Sequence, residues 1–127
     1  MNEGMTTYLE FVHQVDNGAT MEDVLKGVVA YERSHRVDSG PPGAYDPTAF
    51  GQSNIYYGPA LMWHQVRERV GEKKFWAMVK KWPTVEPFGN SNRDDYLAWV
   101  EKETGTELSD LFDAWLLGAE SPKLDLN

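Results

Sequence analysis

Apolar residues recur at helical spacing along nearly the whole chain, and this constrains the fold more than any other feature. Leu108, Leu111, Phe112, Trp115 and Leu116 stand at i, i+3, i+4, i+7 and i+8, one face of a 3.6-residue helix. Met21, Val24, Leu25, Val28 and Val29 repeat the pattern. So do Met62, Val66 and Val70 within Ile55–Val70, and Phe75, Trp76, Val79 and Trp82 after Gly71. Tyr96, Leu97 and Val100 mark a fifth segment, and Gly4 to about Asp16 reads as the first. No segment of useful length alternates with the period of a strand. The chain is expected to be all-α, with about six helices and no substantial sheet.

Boundary signals agree with this division. Thr20 with Asp23 forms a capping-box-like start, and Ser91 with Asp94 suggests another. Ser109 or Thr106 suits the start of the last helix. Asn17-Gly18, Gly71, Pro83, Gly105 and Gly118 are placed to end their helices. Two irregular stretches remain, Asp38 to Asn54 and Pro83 to Asn90. The first holds three prolines and three glycines. A loop of that length in a compact domain is usually functional.

At 127 residues the chain fits a single domain, 1–127, with no internal repeat. It carries no cysteine, which removes disulfides, thiol nucleophiles and Cys-based metal sites. The net charge of −8 argues against nucleic acid and anionic membranes as partners. No apolar run approaches the ~18 residues of a membrane span. Residues 1–4 lack the pattern of a signal peptide, and compartment is not otherwise readable. His13, His35 and His64 are not spaced to share a metal and are expected at surfaces or helix ends. There is no G-x-S-x-G elbow and no phosphate-binding glycine loop. Lys73, Lys74, Lys80 and Lys81 read as one solvated helix face.

Two strings stand out. Asn2-Glu3-Gly4-Met5-Thr6-Thr7-Tyr8-Leu9-Glu10 opens a helix with a carboxylate, which stabilises the helix dipole whatever else it does. Asn54-Ile55-Tyr56-Tyr57-Gly58-Pro59-Ala60-Leu61-Met62 sets two tyrosines where the long loop becomes a helix. On composition alone the first reads as helix-dipole stabilisation and the second as rings that pack in the core or anchor the loop.

The two strings also resemble motifs of the aminopeptidase N-like zinc metallopeptidases, the gluzincins. N-E-G-M-T-T-Y-L-E is similar to that family's N-E-G-[FH]-[AT]-x-Y-x-E, and I-Y-Y-G-P-A-L-M-W to its V-Y-Y-R-G-A-L-M-L. V-G-E-K-K-F-W-A-M-V-K-K-W and L-S-D-L-F-D-A-W-L-L-G-A-E-S-P resemble its next two helices, in order, as far as Pro122. The resemblance implies the helical C-terminal subdomain of a thermolysin-like catalytic domain. It implies Glu3 as the third zinc ligand and Tyr56 as the catalytic tyrosine that donates a hydrogen bond to the oxyanion. Thr6 or Thr7 would then sit behind the metal ligand. In such a parent the metal activates water for cleavage of a peptide substrate.

The departures are specific. Gly58 and Pro59 replace the family's basic residue and glycine. No H-E-x-x-H and no G-x-M-E-N occur. Both imidazole ligands and the general-base glutamate would come from an upstream half of the domain, which becomes the implied partner. Zinc belongs to that parent and is not expected to be held by these residues alone, so the chain alone is expected to be inactive. The alternative is a stand-alone, non-catalytic helical interaction module. On the peptidase reading Tyr8, Tyr56 and Tyr57 should face the upstream half and the loop Asp38–Asn54 should lie near the cleft. Tyr56 should be at least partly exposed. Phe75, Trp76, Trp82, Phe112 and Trp115 should line the core, with Trp115 buried.

Overall fold

The six consecutive residues 58–63 are all buried, which an ordinary one-sided amphipathic helix does not show. In the computed structural model, which describes residues 1–85 and 91–126, they form the first turns of a helix surrounded by others. The order is α1 (Asn2–Asp16), α2 (Met21–Ser39), α3 (Tyr57–Val70), α4 (Glu72–Val85), α5 (Arg93–Thr104) and α6 (Ser109–Leu116). Two 3-10 turns, Pro42–Ala44 and Pro47–Gln52, occupy the connection between α2 and α3. No strand occurs among the described residues. The all-α fold of about six helices expected from the periodicity is the fold observed.

Helix α3 packs against α1, α2, α4 and α6, and α5 packs on α4. Trp63 is the hub. Its ring meets Tyr96, Phe112 and Phe75 edge-on at centroid distances of 5.7, 5.8 and 6.5 Å. Edge-to-face pairs add about 0.5–1.5 kcal/mol each to what burial alone supplies. Phe75, Phe112 and Trp115 are buried as expected, while Trp76 and Trp82 are half-buried against the same core.

Tyr8 corrects the reading that placed it toward an absent half. It is completely buried, on the α1 stripe of Gly4, Thr7, Tyr8 and Phe11. Its hydroxyl accepts from Arg67 (3.1 Å) and lies 3.4 Å from His64 Nδ1. Burial pushes the phenol above its ordinary range, against the pull of Arg67. His64, expected at a surface or a helix end, is instead in the middle of α3 and largely buried beside Tyr8, with Glu68 at 3.5 Å. Desolvation lowers its pKa, reinforced by Arg67 and opposed by Glu68.

Several helix ends differ by a turn or less. Thr20 caps α2 through Asp23 N–H as expected. Helix α5 is capped one residue later than expected, by Asn92 accepting from Asp95 N–H at 2.9 Å. Neither Ser109 nor Thr106 caps α6. Glu101 and Glu107 instead accept from the Leu108 and Ser109 amides at 2.7 and 3.0 Å. Pro83 does not end α4, which continues to Val85. The proline removes the single backbone bond that would reach the Val79 carbonyl, and the next side chain, the Thr84 hydroxyl, donates to the Lys81 carbonyl at 2.7 Å. The rest of the expected irregular stretch, residues 86–90, lies outside the described residues. Helix α2 runs two residues into the expected loop and stops at Gly40, whose φ of 74° favours glycine.

Candidate functional site

Helices α1 and α3 approach most closely where the two singled-out strings lie. A Cβ added to Gly4 would overlap the Cβ of Pro59 and crowd the Pro59–Ala60 backbone. Only glycine lets the start of α1 rest directly on the first turn of α3. Glu3 precedes that glycine and Tyr56 precedes α3, so the fold brings both predicted residues to one end of the α1–α3 pair.

A cavity of about 430 Å³ opens there, with Glu3 in its lining. Buried Ile55, Pro59 and Leu116 lie at its base, joined by Pro42 and Gly43 of the first 3-10 turn. Tyr45 and Phe50, from the same α2–α3 connection, form exposed walls. The connection thus lines the cavity beside Glu3. Met1, Asn92, Arg93 and Asp94 complete the lining, with Arg93 Nε and Asp94 at 3.3 Å.

Glu3 is half-buried and makes no hydrogen bond or ion pair among the described residues. It lies close enough to the Met1 ammonium to act on it. Desolvation lowers the pKa of that amine, and the Glu3 carboxylate opposes the shift. Tyr56 is half-buried and is not part of the cavity wall, although its neighbours Ile55 and Pro59 are. Tyr57 turns to α2, where its ring meets Tyr31 at 5.0 Å and His35 at 6.3 Å. Thr7 is buried in the α1 stripe and Thr6 is exposed.

Among the described residues no three His, Cys, Asp or Glu side chains converge on a metal position. Glu3 alone does not fit a zinc ion, which takes three protein ligands in catalytic sites. Nor is any helix among the described residues long and apolar enough to cross a membrane.

Sequence reasoning missed a buried polar network that holds the Tyr56 turn. Glu32 and Arg36, 0% and 3% exposed, pair one helical turn apart on α2 at 2.6 Å. Asn54 donates to the same Glu32 oxygen at 2.8 Å and accepts from the Gly58 amide at 3.2 Å, closing the chain around Tyr56. Arg36 donates to the carbonyls of Gly118 (2.6 Å) and Trp115 (2.8 Å) beyond α6 and at its end. It also lies against the Trp115 ring. A Cβ added at Gly58 would come within 3.3 Å of the Arg36 guanidinium. The position at which the resembling family is basic is thus beside a cation from another helix. The signal was present in the sequence: Leu25, Val29, Glu32 and Arg36 share one helical face.

No family model, curated protein or solved structure matches the chain.

Proposed function

We propose that the chain is the helical C-terminal part of a zinc aminopeptidase-like catalytic domain, with Glu3 as third metal ligand and Tyr56 as oxyanion donor. The observation that carries this reading is the Gly4–Pro59 contact. It brings together the two strings that resemble gluzincin motifs beside one cavity, which Glu3, Ile55 and Pro59 line. A half-buried carboxylate with no hydrogen bond among the described residues suits a ligand role. A half-buried tyrosine with no hydrogen-bond partner among the described residues is free to donate to a substrate oxygen. The Asn54–Glu32–Arg36 network would fix that phenol before substrate arrives, as preorganised donors require.

The zinc-binding imidazoles and the general base would come from an upstream half carrying H-E-x-x-H. The coding sequence upstream of Met1 tests this directly. An in-frame H-E-x-x-H shortly before Glu3 supports the peptidase. A stop codon with a ribosome-binding site there favours the stand-alone interaction module. In the longer protein, Glu3→Gln should lose zinc. Tyr56→Phe should lower kcat by about 10²–10³ with the thermal midpoint unchanged. Loss of stability with turnover intact would assign Tyr56 to packing instead. The 127-residue chain alone should show no chelator-sensitive hydrolysis of aminoacyl substrates.

A further inference from the structure

We infer that the cavity beside Glu3 binds a bulky apolar side chain of a peptide, aromatic in preference, and that Tyr45 and Phe50 set this selectivity. Its volume of about 430 Å³ lies in the range of pockets that enclose small ligands. The base is apolar and sequestered: Ile55 and Leu116 are 7% and 4% exposed. The walls are not. Tyr45 and Phe50 are 41% and 45% exposed, although both are large rings, and they stand edge-to-face with centroids 6.0 Å apart. An entering ring gains contact with both walls and displaces water from the base. The second 3-10 turn keeps this geometry, because Asp46 accepts from both the amide and hydroxyl of Thr48 at 2.8 Å.

Desolvation settles which side chains fit. The polar lining sets Glu3 near the Met1 ammonium and Asp94 against Arg93, so its charges balance. A neutral apolar side chain meets the apolar base of Ile55 and Leu116, whereas a charged one would lose its water there without gaining a partner. The assignment rests on the peptidase reading only in making the bound peptide a substrate. On that reading Glu3 is a metal ligand and the cavity takes a residue flanking the scissile bond.

The test is an NMR titration of the isotopically labelled 127-residue chain with N-acetyl-L-phenylalaninamide, in buffer containing a chelator. Shift changes should concentrate on Ile55 and Leu116. The alaninamide and glutamic-acid-amide analogues should bind about tenfold more weakly or worse, the scale expected for a partly filled apolar pocket. Phe50→Ala and Tyr45→Ala, both at exposed positions, should each weaken the phenylalanine probe about fivefold with the core spectrum intact. Tyr31→Ala, an exposed ring away from the cavity, should change nothing. Equal binding of the alanine probe, shifts scattered away from the cavity, or undiminished binding to Phe50→Ala would overturn the inference. Because zinc is absent from this titration, the two readings fail separately. Retained zinc in Glu3→Gln of the longer protein overturns the peptidase alone, and an unselective cavity overturns the pocket alone.

Discussion

Removing Arg36 should cost more stability than removing any exposed charge. Arg36→Ala deletes the 2.6 Å bond to Glu32 and the bonds to the Trp115 and Gly118 carbonyls. It leaves the Glu32 carboxylate fully buried with Asn54 as its remaining partner, and Glu32 Oε2 already has none. Breaking a buried pair from one side costs about 3–5 kcal/mol, chiefly because the remaining charge is left uncompensated. With an unfolding entropy of about 2.1 cal/mol/K per residue, the 127 residues carry about 0.27 kcal/mol/K. A loss near 4 kcal/mol therefore lowers the melting midpoint by about 15 °C. Guanidinium unfolding followed by tryptophan emission, beside a thermal melt by circular dichroism, measures both numbers. The double variant Glu32→Leu/Arg36→Met removes both charges and should recover most of the loss, since apolar replacement of a buried pair is often near neutral. A single variant within about 1 kcal/mol of the parent would refute the reasoning, as would a double variant no better than the single.

Two further outcomes follow from the packing. Gly4→Val should destabilise by at least about 1–3 kcal/mol by overpacking, because its Cβ overlaps Pro59; Gly27→Ala, with open space around it, should raise the denaturation midpoint slightly in the same assay. His64 should titrate below its ordinary value of 6.5 when followed by NMR, since burial lowers its pKa against the opposing charge of Glu68. The unfolded chain then binds the proton more readily. The His64 contribution is thus complete above 6.5 and is lost as pH falls through the folded value, and His64→Gln should flatten that part of the pH–stability curve.

The helices were legible because their stripes are apolar: Leu108 to Leu116 reads correctly to within a residue. What escaped was polar or depended on two distant segments meeting. Glu32 and Arg36 continue the face of Leu25 and Val29, yet charged residues at that spacing normally mean a solvated face. Only Asn54 and the carbonyls of Trp115 and Gly118, at and beyond the end of α6 and distant in sequence, turn the pair into a buried one. Tyr8 shows a different failure. Its stripe with Gly4 and Phe11 pointed to the core, but its place beside Glu3 drew it into the functional string. The candidate cavity was half legible. The motif drew attention to Glu3, which lines it, and to Tyr56, which does not, whereas the aromatic walls at Tyr45 and Phe50 lie in a stretch without periodicity, where spacing carries no information about direction.

The attachment of Arg36 to the end of α6 bears on the order in which the molecule can complete itself during synthesis. Its two carbonyl partners lie 79 and 82 positions later in the chain. Trp115, which also donates to Gln65 at 2.7 Å, seals the face of α3 between them. A nascent chain that has made α1 to α5 still holds a charged pair and an indole-sized gap awaiting their lid. Such an intermediate exposes apolar surface until the last helix emerges. A stop introduced before Ser109 should therefore yield an aggregating product, whereas one after Pro122 should yield a folded one.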